Sequence, residues 1–279
     1  MRLMSDLAIT CLLQTQAVQL RDYCCAGTCR HRSDEECANS IVLVFPYRGV
    51  FVRHVGRDDA VGEANQVLFF NKGESYRISH PVEGGDSCLS LSIDDDLLSE
   101  LVPTRLLRGG AGLAFKRQHL RIDPRTQALV ALLRHSLYRD AIELLEAETL
   151  TLTLLRRALG ERTSHASQGS YGRLKLVDRA KLLLSSDLAR RWSLGEIASE
   201  VGVSPVYLTQ VFQRVEGIPL YRYQLRLRIA RALDLLGEYD DLTELGLALG
   251  FSSHSHFSSS FRRIYGQSPA EFRRAARLR

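Results

Sequence analysis

GFSSHSHFSSSFRRIYGQSPAEFR, residues 250–273, is a stretch in which almost every non-apolar position between Phe251 and Arg262 is serine or histidine. Phe257 and Phe261 stand four apart, the spacing that puts two side chains on one face of a helix. Gly266 and then Pro269 supply a stop. Serine is a mediocre helix former, and a face turned to water more usually carries Glu and Lys. A helix built this way is shaped for another surface.

The stretch is the second copy of a repeat. EIASEVGVS (196–204) and ELGLALGFS (244–252) share a layout at an offset of 48. Each carries a small residue, Ala198 or Gly246, that lets two helices approach. Four positions on comes a glycine, Gly202 or Gly250, for the tight turn between them. Ser204 and Ser252 then stand where an N-cap would start the next helix. That helix repeats too, one residue longer in the second copy. Leu208, Val211 and Phe212 are matched by Phe257, Ser260 and Phe261, and Gly217 and Gly266 close the copies. Between them PLYRYQLRLRIARALDLL reads as one connecting helix. The spacing predicts two helix-turn-helix units joined by a helix.

Charge agrees with that reading. From Tyr171 onward, 17 Lys and Arg stand against 11 Asp and Glu, an excess of +6, while the first 170 residues carry −1. A basic module joined to a neutral one points to a polyanion, and two helix-turn-helix units specify double-stranded DNA. Short hydroxyls and imidazoles let a recognition helix sit deep against base edges and phosphates.

The first half of the chain reads differently. IVLVFPY, GVFVRHV, QVLFF, SYRIS and CLSLSID, within residues 41–93, are short runs rich in Val, Ile, Phe and Tyr, punctuated by Gly and Asn or Asp. They predict a small β-barrel or sandwich. DDDLLSELV opens a helix with three acids. Asp123 followed by Pro124 caps a second, and DAIELLEAETLTLTLLRRALG a third, with leucines 144, 145, 152, 155 and 159 as its apolar side. This helical hairpin either covers the barrel or forms a dimer interface. ERTSHASQGSYG (161–172) reads as a linker. The fold class is therefore α+β: residues 1–160 a small β-barrel with a helical hairpin, 161–172 the linker, 173–279 an all-α module. No run of about 18 apolar residues occurs and no signal peptide is evident, so the expectation is a cytoplasmic protein without a membrane span.

The C-terminal arrangement resembles the DNA-binding domain of the AraC/XylS family of bacterial transcription regulators, over about residues 173–275. Gly250-Phe251, the Phe257/Phe261 pair followed by Arg262 and Arg263, Gly266-x-Ser268-Pro269, then Phe272-Arg273 carry the resemblance. In the family the two recognition helices enter successive major-groove segments. A connecting helix of about 17 residues, roughly 25 Å long, is compatible with half-sites about 34 Å apart. The resemblance implies base contacts from Val206, Thr209, Gln210, His254, Ser255, Ser258 and Ser259. Backbone contacts or helix-end packing fall to Ser204, Arg214, Ser252, Arg262 and Arg263. Where the family often has Arg, this chain has Ser259, which predicts looser readout there. Gln210 is the strongest base reader, because its amide can bond adenine N6 and N7 together. The first domain is similar to the family's cupin-type effector domains. The resemblance implies a small-molecule effector, a homodimer, and RNA polymerase as a partner, with activation more usual than repression.

Cysteine falls early: Cys11, Cys24, Cys25, Cys29 and Cys37, then Cys88. Cys25, Cys29, Cys37 and Cys88, with His31 among them, form a thiol cluster that could hold zinc or another metal, or sense oxidation, against the plain alternative of buried thiols. Cys25-x-x-x-Cys29-Arg30 faintly echoes the Ada-type repair proteins, but their completing Cys-x-x-Cys is missing. A cupin-type metalloenzyme is the rival of another class. It needs a paired His-x-His, whereas the barrel offers His54 and His80 singly. His254 and His256 point about 200° apart on a helix, and His256 is expected to pack beside Phe257. No catalytic motif appears, so the expectation is a regulator and not an enzyme.

Overall fold

Strand pairing begins earlier than residue 41. β1 (Leu7–Gln14) and β2 (Val18–Cys25) form an antiparallel pair in which Leu7 faces Cys25 and Gln14 faces Gln19. The computed structural model describes residues 7–28, 30–109, 112–160 and 170–276. The sequence pattern hides β1 because it is an edge strand. Its residues are mostly exposed, so its place is set by the ladder of its neighbour and not by a buried face of its own.

The chain divides into two compact units, Met1–Ser164 and His165–Arg279. In the first, the strands after β2 are β3 (Glu36–Cys37), β4 (Val42–Gly49), β5 (Phe51–Val55), β6 (Asp58–Gly62), β7 (Gln66–Phe70), β8 (Ser75–Ser79), β9 (Asp86–Ile93) and β10 (His119–Arg121). They form a six-stranded sheet, β1-β2-β9-β4-β7-β10, and a four-stranded sheet, β3-β8-β5-β6. The expected barrel is therefore two open sheets that do not close. β1 and β10 end one, β3 and β6 the other, and Gly49-Val50 carries the chain from the first sheet to the second.

Alternation along β9 shows how the larger sheet is used. Leu89 and Leu91 point into the main core with Leu43, Phe45, Val67 and Phe69, while Cys88 joins a second apolar cluster with Phe51, Leu68 and Phe70. The period of two thus serves two layers at once. On the core side lie α1 (Asp95–Leu101), α2 (Pro124–Tyr138) and α3 (Leu144–Ala158). Asp94, the first of the three acids, is the N-cap of α1, accepting from the backbone N–H of Asp96 and Leu97. Asp123 caps α2 through the Thr126 N–H at 2.8 Å. The hairpin covers the sheet: Ala147, Thr151, Leu154, Leu155 and Ala158 are the buried face of α3. Leu144 and Leu145 do not belong to it and stand 61% and 75% exposed, because the helix starts at Leu144 and its face turns inward only from Ala147.

Of the linker, residues 161–169 lie outside the described residues. Ser170 is the N-cap residue of α4 (Tyr171–Ser186), so Tyr171 and Gly172 belong to the helix and not to the linker. Then come α5 (Leu194–Glu200), α6 (Pro205–Glu216), α7 (Leu220–Leu235), α8 (Leu242–Ala248), α9 (His254–Tyr265) and α10 (Pro269–Ala275). Leu208, Val211 and Phe212 are buried on α6, and their repeat partners Phe257, Ser260 and Phe261 on α9. The second copy is held by rings: Phe251 with Phe257, Phe257 with Phe261, and Phe261 with Phe272 lie 5.2–6.0 Å apart between centroids. The first is held by mostly aliphatic packing around one ring pair, Phe212 and Tyr223 at 5.2 Å, and by a buried Lys181–Glu216 ion pair at 2.5 Å between α4 and the end of α6.

Gly250 has φ +81°, and a Cβ there would lie 2.2 Å from the carbonyl oxygen of Ala189. Gly266 has the same φ with nothing within 4 Å of such a Cβ. Gly266→Ala should therefore cost about 1–2 kcal/mol, the left-handed penalty alone. Gly250→Ala should cost about 1–3 kcal/mol more, since backbone must move to admit the methyl. Urea unfolding followed through the single tryptophan, Trp192, separates the two. Equal losses would mean that the close approach of Gly250 to Ala189 contributes nothing.

Candidate nucleic-acid interface

Each recognition helix buries one face and offers the other. On α6, Val206 is 68% exposed, Gln210 is exposed and Thr209 half-buried. Ser204 caps this helix, its hydroxyl accepting from the Tyr207 N–H at 3.3 Å. Thr209 turns its hydroxyl back onto the Pro205 carbonyl at 3.0 Å. Its methyl and one oxygen lone pair remain for a base edge. Tyr207, 44% exposed beside Val206, belongs to the same face. The sequence reading missed it because an aromatic in an amphipathic helix is ordinarily assigned to the core.

On α9, His254, Ser255 and Ser259 are exposed and Ser258 half-buried. The cap is Ser253, which accepts from the His256 N–H at 3.1 Å, and not Ser252. The extra residue of the second copy enters at this point, so the helix begins one position later than the offset of 48 implies. Ser252 instead meets His256 Nδ1 at 3.2 Å. His256 is exposed and sets its ring edge-on to Phe251 at 5.3 Å, so it does not pack beside Phe257. Ser258 pairs with His254 at 3.2 Å, and Ser259 donates to the His256 carbonyl at 3.2 Å. Helical serines commonly bond back in this way. The result is a low, preorganised polar surface.

The basic residues divide. Arg214 and Arg263 are exposed near the helix ends. Arg262 reaches Glu271 Oε2 at 3.3 Å, tying α9 to the start of α10. Glu271 is held at about 2, first by its bonds to Ser268 and then by Arg262. Arg262 thus joins the two helices, the packing alternative that the sequence left open for it.

Arg228, on α7, had no assigned role and proves central. Its guanidinium donates to the carbonyls of Leu188 (2.5 Å), Arg190 (2.8 Å), Ala189 (3.2 Å) and Gly250 (3.2 Å). The first three lie between α4 and α5, in the first copy; Gly250 is the turn of the second. Gln224, one turn earlier, adds a bond to Arg190 O at 3.1 Å. Side chains of the connecting helix therefore tie the first copy to the turn of the second. Sequence spacing had no signal for this, since the acceptors are backbone carbonyls.

The other unit contains a cavity of about 600 Å³ between its two sheets. Val42, Phe70 and Ser90 line it from the larger sheet, Phe51, Tyr76 and Ile78 from the smaller, with Arg21 and Tyr23 of β2 as polar wall. The expected thiol cluster is not assembled as such. Cys37 is exposed on the short edge strand β3, and Cys29 lies outside the described residues. Cys88 is buried and donates to Asp86 Oδ2 at 3.0 Å. Burial, then the Asp86 charge, pushes its thiol well up. Cys25 instead faces His80 and Asp86, with one donor atom from each within 4.8 Å of the others.

Comparison with known proteins places the first of these two sites. A family model described as a helix-turn-helix domain matches residues 197–275. "Probable transcriptional regulator LumQ" of Photobacterium leiognathi is 28% identical over 232 residues, 81% of this chain and 89% of that protein. The HTH-type transcriptional regulator ArgR of Pseudomonas aeruginosa is 34% identical over 102 residues, 36% of this chain, and the match spans 31% of ArgR. A crystal structure of an AraC-type regulator from Chromobacterium violaceum is similar at 33% identity, over 38% of this chain and 96% of that one, with a TM-score of 0.36. The matched residues are those that fold into the paired units, and they form an AraC-type DNA-binding domain of the kind that transcription regulators carry.

Proposed function

We propose that this regulator reads two adjacent major-groove segments with α6 and α9 and answers to a small effector taken into the cavity of the N-terminal unit. The observation that carries the reading is the Arg228 clamp: two exposed polar helix faces are held on one rigid frame. A cavity of about 600 Å³ has the volume of a site for a small organic molecule. Occupancy of that cavity would bias the geometry of a homodimer or the contact between units, and so the engagement of paired half-sites. Activation through RNA polymerase fits the family's usual behaviour. The role is that of a binding protein, not an enzyme.

Gln210 supplies base readout, while Arg214 and Arg263 supply phosphate contacts. Gln210→Ala should weaken a specific site by about 1–3 kcal/mol and leave non-specific DNA nearly unchanged. Electrophoretic titration on both DNAs decides, and equal loss on both removes Gln210 from base readout. Arg263→Ala should weaken all sequences alike and reduce the salt slope by about 1.

Arg228→Lys keeps the charge but loses the planar fork that reaches both copies. Affinity for a two-segment operator should fall while binding to either segment alone changes little. A variant that binds both like the parent would show that α7 alone sets the spacing.

A further inference from the structure

Cys25, His80 and Asp86 converge from three places in the chain onto one edge of the cavity. Cys25 ends β2 and Asp86 begins β9, and the two are cross-strand partners. His80 directly follows β8, and its Nε2 lies 2.6 Å from Asp86 Oδ1. The turn at Gly85 brings them together. Gly85 has φ +66°, and a Cβ on it would sit 2.0 Å from the Cys25 carbonyl oxygen, so only glycine lets this turn press against the end of β2.

We propose that these three side chains form a binding site for a thiophilic divalent cation of the zinc type. One sulfur, one imidazole nitrogen and one carboxylate oxygen form a donor set characteristic of Zn²⁺. Three atoms within 4.8 Å of one another need to shift by only about an ångström, since tetrahedral zinc places its donors roughly 3.3–3.8 Å apart.

Two further observations point to a ligand. His80 is 6% exposed and turns its Nε2 to Asp86 Oδ1, so a cation entering between them meets both donors at a position closed to bulk water. Cys88, from the next cavity-facing position of β9, donates to Asp86 Oδ2 and leaves Oδ1 toward His80. Such an outer partner orients a carboxylate ligand. Cys88 is therefore a positioning residue, and the fourth coordination position opens toward the cavity.

The site stands independently of the DNA-binding reading, because its test is spectroscopic and uses no DNA. The full chain, stripped with chelator and kept reduced, is titrated with Co²⁺. One equivalent should give a near-ultraviolet thiolate-to-cobalt band together with tetrahedral visible bands, and Zn²⁺ should bleach both. Cys25→Ser should abolish the near-ultraviolet band. Asp86→Asn, nearly isosteric, should weaken Co²⁺ at least tenfold with an unchanged far-ultraviolet circular dichroism spectrum. Cys88→Ala should weaken it by about 10–100-fold while keeping the thiolate band. Cys11→Ser, on exposed β1, should change nothing. Absence of a thiolate band in the parent, its survival in Cys25→Ser, or its loss in Cys11→Ser would each overturn the assignment.

Discussion

The guanidinium of Arg228 is the constraint on which the DNA-facing unit depends. The two helix-turn-helix copies share α7, and Arg228 draws the Leu188–Arg190 segment of one copy and the Gly250 turn of the other onto it. Hydrogen bonds from a charged donor are each worth about 1.5–3 kcal/mol, enough to hold an angle against thermal motion. Their acceptors are carbonyls at helix ends and turns, outside the regular helical ladder. One side chain thus bonds four backbone carbonyls and ties the two copies to one helix.

The same economy appears in how each copy is packed. The first uses mostly aliphatic side chains around the single Phe212–Tyr223 pair, with the Lys181–Glu216 ion pair, the second a chain of rings from Phe251 to Phe272. Gly246 explains why rings fit. A Cβ on it would come within 3.0 Å of Phe257, so glycine rather than the alanine of the first copy lets the bulkier helix approach. Size exchanged across the interface keeps the two copies alike in backbone while their cores differ.

In the N-terminal unit one sheet serves two environments through its alternation. Leu89 and Leu91 anchor it to the helices, while Cys88, Ser90 and Ser92 between and beside them face the cavity. A fully apolar β9 would have filled the space between the sheets. Small polar residues at alternate positions keep it open and give it hydrogen-bonding walls. The donor cluster at its edge follows from register, since Cys25 and Asp86 are directly opposed.

Helices, turns and the repeated unit were legible in the sequence because their signals are local: the Phe257/Phe261 spacing, the turn glycines, and capping serines displaced by one residue at most. Charge likewise announced the polyanion, because charge adds along the chain without regard to fold. What tertiary structure decided was every feature made by residues distant in sequence. β1 was hidden because its ladder belongs to β2, and the open pair of sheets because closure depends on which edges meet. Arg228 looked like one of several surface arginines of α7 until backbone carbonyls 22 to 40 residues away were brought to it. The thiols were visible as a group of early cysteines, yet Cys25 finds its neighbours in His80 and Asp86. Periodicity and propensity report on a residue's nearest turns, and only packing reports on the partners that meet across the fold.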